Sequence, residues 1–285
     1  MNLLQWWRSR ILWVPAVVLL AACSASAQPV LRCFPVGPIF EYRWKLLELA
    51  LAHTGGAGVR LVPASGSITQ PRSLILLESG ALDVLALGST AERQMRALPI
   101  PVDILKGIIG FRVLLVRRAD LERIRRMDDA TLRRDLSFGM EQDWADLPIM
   151  VAAGLKVEAA AHAENLFGML SAGRFDAYPR GLNEAIRELA DHQAAFPGLA
   201  LEPSRALYFP YPIYFWVARN RPGLARRIER GLRRALADGS FRRLFTTYHA
   251  REILQLKEHP RHVLVLPNPF MPTGTEPDTR WWWPR

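Results

Sequence analysis

Two arginines stand where a guanidinium is hard to place unless something anionic meets it. Arg112 interrupts the apolar run 108–116, and Arg180 sits in Pro179-Arg180-Gly181, just after the apolar and acidic segment 175–178. An unpaired buried charge is costly, and the planar guanidinium fork matches the two oxygens of a carboxylate. Both residues are therefore candidates for gripping an anionic group. Patterns for covalent or metal chemistry do not emerge beside them: the six histidines have no metal-ligand spacing, and Gly66-Ser67 forms no nucleophile elbow. Asp128-Asp129 lies where a helix begins, so capping accounts for it. Asp143-Trp144-x-Asp146 offers two carboxylates that could act as acid and base, but the wall of a ligand cleft is the simpler reading. The residues point to binding rather than turnover, with no cofactor and no metal.

The elements that would position these residues alternate between strand and helix. Residues 30–36 read as a strand, and 42–53 repeats apolar residues at Trp44, Leu47 and Leu51 before stopping at Gly55-Gly56, a helical period. A strand at 59–62, a helix at 71–79 ending on Gly80 and a strand at 83–87 ending on Gly88 follow. After the proline-interrupted stretch 98–101, a strand at 111–117 opens a second series of the same plan. It comprises a helix at 129–134, a strand at 136–139, helices at 147–153 and 163–171, a strand at 175–178 entering the turn 179–181, and a helix at 183–192. A strand-like aromatic run covers 208–217. Such alternation predicts an α/β protein with parallel sheet in two similar units.

Two helices close the pattern, 222–237 and a second beginning at Ser240 with Phe241, Leu244, Phe245 and Tyr248 on one side. Arg226, Arg227, Arg230, Arg233 and Arg234 fall opposite Leu224, Ile228, Leu232 and Ala235, which reads as a solvated face. The proline-rich tail from Pro267, with Trp281-Trp282-Trp283, has no periodicity and reads as a strap laid over a lobe.

The N-terminus carries an address. Arg8 and Arg10 precede the apolar run 11–22, and small residues follow, the order of a bacterial secretion signal over 1–27. Pro15 interrupts the run, which is shorter than the roughly 20 apolar residues of a membrane-spanning helix. Two processing readings overlap. Ala25-Ser26-Ala27 suits an ordinary signal peptidase, whereas Leu20-Ala21-Ala22-Cys23 looks like a lipobox in which Cys23 is acylated. Either way Cys23 is consumed, leaving Cys33 as the single thiol of the two cysteines, in a run that reads as a buried strand, so no intramolecular disulfide can form. Export to the periplasm also bears on the charge of +10: nucleic acid becomes an improbable partner, and membrane attachment is expected only through Cys23.

Several motifs then resemble the type II periplasmic solute-binding proteins related to the polar amino-acid receptors of ABC transporters. They are Arg72-x-x-x-Leu76-Leu77-x-x-Gly80-x-x-Asp83-Val84, its altered repeat Leu166-Phe167-x-Met169-Leu170-x-x-Gly173-Arg174-x-Asp176, and the closing segment from Ile228 to Phe245 with Gly231, Asp238, Gly239 and Phe241. Gly110-Phe111-Arg112, Gln142-Asp143-Trp144-x-Asp146 and Phe175-Asp176-x-x-Pro179-Arg180-Gly181-x-x-Glu184 resemble an uncharacterised subgroup with no agreed ligand.

The resemblance implies a two-lobed fold, each lobe a sheet flanked by helices, joined by two crossing strands near 109–113 and 210–214. Residues 28–109 and 214–285 would form one lobe and 110–213 the other, with a small-molecule solute in the cleft between them. It also implies a role for Thr90-Ala91-Glu92-Arg93, since a Thr-x-x-Arg segment at this place holds the ligand carboxylate in relatives. Where relatives carry an acid for the ligand ammonium group, Tyr178-Pro179-Arg180-Gly181 stands here, so a carboxylate-rich or otherwise anionic solute is as plausible as an α-amino acid. Further cleft candidates at strand ends are Phe40, Tyr42, Arg72, Arg112, Asp143, Trp144, Arg180 and Tyr214. The expected molecule is a monomeric receptor delivering its solute to an inner-membrane permease. A sensory or accessory protein acting on a membrane signalling partner is the alternative, and an exported enzyme a further rival.

Overall fold

The computed structural model describes residues 29–55, 58–66, 68–271 and 279–283; the segment 1–27 read as a secretion signal, with Cys23, lies outside the described residues. Strand β1 (Val30–Phe34) leads through a short 3-10 turn into α1 (Glu41–Ala52). β2 (Arg60–Pro63), α2 (Gln70–Glu78), β3 (Val84–Gly88), α3 (Ala91–Arg96) and β4 (Ala97–Ile100) complete the first pass. β1 pairs parallel with β2 and β3, as the strand–helix–strand alternation requires, so the chain crosses over a helix between each pair.

The chain then leaves this sheet and enters a second one at β5 (Phe111–Arg117). The helices α4 (Leu121–Arg125) and α5 (Asp129–Asp135), β6 (Ser137–Glu141), α6 (Leu147–Ala152), β7 (Lys156–Ala160), α7 (Leu166–Ser171), β8 (Ala177–Gly181), α8 (Leu182–His192) and β9 (Leu199–Tyr208) follow. At Phe209 the chain crosses back, and β10 (Ile213–Ala218) inserts antiparallel between β3 and β4. α9 (Pro222–Ala237) and α10 (Ser240–Glu258) follow, and β11 (His262–Val265) joins the edge of the second sheet beside β9. The strand orders are β2-β1-β3-β10-β4 and β11-β9-β5-β8-β6-β7. Each sheet with its flanking helices forms a lobe.

The two crossings fall where the sequence motifs place them, around Gly110-Phe111 and around 209–212, and they lie side by side: Phe209 N donates to Gly110 O at 3.2 Å. The C-terminal part departs from the expected lobe boundaries. Residues 214–285 read as a return to the first lobe, yet β11 pairs in the second sheet and makes a third crossing. The Trp-rich tail then packs over the hinge. Trp282 is buried and its Nε1 donates to Lys106 O at 2.7 Å, while Trp283 meets Phe111 and Tyr208 edge-on at 5.3 and 5.0 Å.

The motif repeated in the two lobes does one structural job twice. In each copy a helix ends on a glycine with positive φ, Gly80 at +77° and Gly173 at +72°, a conformation that costs a residue with a Cβ. The aspartate beyond it ties down the neighbouring parallel strand. Asp83 Oδ2 accepts from Arg32 N at 2.8 Å, and Asp176 Oδ2 accepts from Ser137 N at 3.0 Å. Cys33 is buried in β1, and burial, with Asp83 and Glu48, pushes its thiol up to about 12.

Candidate functional site

Between the lobes lies a cavity of about 390 Å³. Its first-lobe wall comes from the end of β1 and the start of α1, from the segment before α2 and from the end of β3; its second-lobe wall comes from the start of β5, the ends of β6 and β8 and the first turns of α8. Strand ends and helix starts meet here because parallel sheets present both at the same edge.

Four arginines converge on this cavity. Arg112 and Arg180 line it from the second lobe and Arg43 from the first, while Arg93 stands one side chain behind the first-lobe wall. The carboxylates beside them divide the four into two kinds. Arg180 is fully engaged: its Nε and Nη2 meet Glu188 at 2.6 Å each, and Nη2 lies 3.0 Å from Glu184. Burial opposes its charge, but Glu184 and Glu188 outweigh burial and hold its pKa well above the ordinary value. Arg112 Nη2 donates to Asp146 at 2.5 Å. Glu184, buried yet kept below the usual carboxylate range by Arg180, Arg112 and Arg43, forms the hub of these pairs and also accepts from Gly181 N.

The first-lobe arginines are less well neutralised. Arg43 Nη1 donates to Ala86 O at 2.7 Å, Nη2 comes only to 4.0 Å from Glu184, and Nε is buried without a hydrogen-bond partner. Burial, with Arg180 and Arg112 adding repulsion, brings its pKa down to about 10. Arg93 donates to Gly88 O at 2.6 Å and to Gln70 Oε1 at 2.5 Å, both neutral acceptors. The acids whose charge reaches it, Glu92 and Asp146, are paired with Arg96 and Arg112. Burial lowers its pKa as well. The first-lobe side of the cavity thus holds positive charge without a matching carboxylate. On the opposite wall Glu141 is the reverse case: burial, and then Asp143, raises its pKa, and no arginine or lysine pairs with it among the described residues.

Aromatic rings flank both sides. The Arg43 guanidinium lies 4.6 Å from the Phe40 ring centroid, and Arg180 lies 4.6 Å from that of Trp144. Tyr211, from the second crossing, reaches against Gly88, where any Cβ would sit 2.1 Å from the tyrosine oxygen; only glycine admits that approach.

Solved structures with this architecture are two-lobed binding proteins. An ancestral arginine-binding protein bound to arginine superposes with a TM-score of 0.55 at 16% identity, over 77% of this chain and 97% of its own. An amino acid ABC transporter substrate-binding protein from Streptococcus pneumoniae, bound to L-arginine, gives 0.56 at 15% identity, over 78% and 93%. The chain has the two-lobed periplasmic-binding-protein fold. An ancestral amino acid-binding protein described as a precursor of cyclohexadienyl dehydratase shares it, with a TM-score of 0.53 and 15% identity over 77% and 94%. No family model matches the sequence, and no curated protein matches it.

Within this binding-protein fold the sequence candidates separate. Arg112, Trp144, Arg180 and Phe40 line the interlobe cavity. Thr90 acts on α3 instead, its Oγ1 accepting from Arg93 N at 3.1 Å as the helix N-cap. Asp143 is next to the lining residue Trp144 and adds its charge to Glu141. Three candidates stand elsewhere. Arg72 is exposed on α2, and Tyr42 faces α10, donating to Ile104 O at 2.9 Å and packing on Phe245 and His249. Tyr214 is buried with Trp216 in a separate apolar cluster, because β10 is a central strand whose side chains are enclosed on both faces.

Arg43, Glu188, Tyr211 and Glu141 were not singled out from the sequence. Arg43 had a legible signal, sharing the buried helical face with Leu46, Leu47 and Ala50. Glu184 stood inside a quoted motif without an assigned role, while Asp146, read with Asp143 as part of a cleft wall, lines the cavity.

Proposed function

We propose that the protein is an exported receptor that captures a small, carboxylate-bearing, amino-acid-like solute between its lobes and delivers it to an ABC-type transporter. What supports this most is the charge asymmetry of the cavity. Arg180 and Arg112 are neutralised by Glu188, Glu184 and Asp146, whereas Arg43 in the facing wall, with Arg93 behind it, lacks a close carboxylate. A solute carboxylate entering at Arg43 supplies the missing anion beside a buried guanidinium, where a charge-assisted bond is strong. Of the second-lobe wall, Arg112, Arg180, Asp146, Glu184 and Glu188 are tied into ion pairs that fix charge in place, which suits holding a solute, and Glu141 alone of its lining acids stands outside them. The secretion signal in 1–27 supports a periplasmic site of action, with Cys23 as a lipid anchor in the lipobox reading.

A thermal-shift screen over amino acids, other carboxylates and small anions, followed by calorimetric titration of the best binder, tests this reading. Arg43→Ala is expected to weaken binding by about 10- to 100-fold, the worth of one charge-assisted hydrogen bond, and Arg93→Ala to weaken it in the same direction. Unchanged affinity in both variants would remove the site assignment.

A further inference from the structure

The composition of the cavity narrows the solute further, on the assumption that the carboxylate reading above holds. Between the charged ends the walls are apolar. Phe34, Ile39, Phe40 and Ile68 face the cavity from the first lobe, Ile109 from the hinge and Trp144 from the second lobe. A solute bound here must cover this surface or leave it against trapped water, and burying apolar area is the main non-directional source of affinity in such a pocket.

Charge tells against the two other kinds of solute. An amino acid with a cationic side chain would bring two positive groups to one unpaired carboxylate, Glu141, and its side chain would approach rings that already hold the protein's own cations, Phe40 under Arg43 and Trp144 under Arg180. A second carboxylate would find Arg180 held by Glu188 and Glu184 and Arg112 held by Asp146, with the Arg112 Nε as its one buried donor without a partner, and would face Glu141, which no arginine or lysine neutralises among the described residues.

We infer that the solute is a monocarboxylate with an apolar or aromatic body and no charged side chain, seated with its carboxylate at Arg43 and its body between Phe40, Ile68 and Trp144. A neutral amino acid of this kind fits the same description, its ammonium group facing Glu141.

Calorimetric titration of the purified protein with L-phenylalanine, L-leucine, phenylacetate, L-arginine, L-glutamate and succinate tests the inference. At least one of the first three is expected to bind at least tenfold more tightly than any of the last three. Phe40→Ala is expected to weaken that binding about tenfold or more, with Phe40→Tyr retaining most of it. Tighter binding of L-arginine, L-glutamate or succinate would overturn this inference and leave the carboxylate-receptor reading standing, as would an apolar probe whose affinity is indifferent to Phe40→Ala. Binding of none of the six would overturn both.

Discussion

Asp103 sits beside the hinge in an environment that resists its charge. Its Oδ1 accepts from Leu105 N at 3.0 Å and from Ile213 N at 3.1 Å, while Oδ2 is buried without a partner. Burial outweighs those bonds and raises its pKa to about 6 from 3.8. Between these two values the folded state binds the proton more tightly than the unfolded chain. This contribution therefore stabilises the fold below about pH 4 and is lost as pH rises through about 6, a fall of roughly 3 kcal/mol. Asp103→Asn keeps an acceptor for the two amides and removes the titration. Its unfolding free energy, measured by denaturant titration from pH 4 to 7, is expected to decline less than that of the wild type by about that amount. At this scale arginines interrupting apolar or turn segments were legible, and both Arg112 and Arg180 line the cavity. Arg43 was passed over, although its spacing from Leu46, Leu47 and Ala50 puts it on the apolar face of its helix, where a charge calls for a reason. Tyr42 and Tyr214 misled because an aromatic at a strand end serves the core as readily as a ligand.

Among the elements, the helix–glycine–aspartate–strand unit was the most legible, since it is written twice and its physics is local. Asp176 shows what it does. Burial works against its charge, yet bonds from the Ser137 backbone, Arg123 and the Ser137 hydroxyl hold its carboxyl below the ordinary range. The sign is opposite to that of Asp103: the contribution is present at neutral pH and lost as pH falls into the acid range. Asp176→Ala leaves Ser137 N without its acceptor and is expected to cost about 1–3 kcal/mol at pH 7, with a smaller difference from wild type at low pH, read by denaturant unfolding. Strands carrying no such signature were harder to see. β4 contains Pro99, and β7 carries Lys156 and Glu158 at an exposed edge, so neither reads as a half-buried run. The segment 179–181 read as a turn because of Pro179 and Gly181, but it continues β8. Pro179 stands opposite Leu114 of β5, while the pairing of β8 with β6 is confined to Phe138 and Ala177, so a residue with no amide hydrogen to give is accommodated there. The aromatic run 208–217 is two strand ends with the second crossing between them, a break marked by Pro210 and Pro212.

For the whole molecule, two α/β units of similar plan were legible from the alternation and from the repeated unit, and the solved binding proteins share that architecture. The third crossing was not. β11 is four residues long, and its partner β9 lies more than 50 residues earlier, so nothing near His262 in sequence announces the second sheet. That crossing, with Trp282 against Lys106 and Trp283 against Phe111 and Tyr208, lays the tail across the hinge on which any closure must turn. The central claim is that a solute bridges the lobes at Arg43 and draws them together. Small-angle X-ray scattering of the purified protein, titrated with the tightest binder of the six-compound panel, tests it most directly. The radius of gyration is expected to fall and to level off at one solute per protein, the mark of lobe closure on a single cleft. A radius of gyration unchanged at saturation would contradict the account.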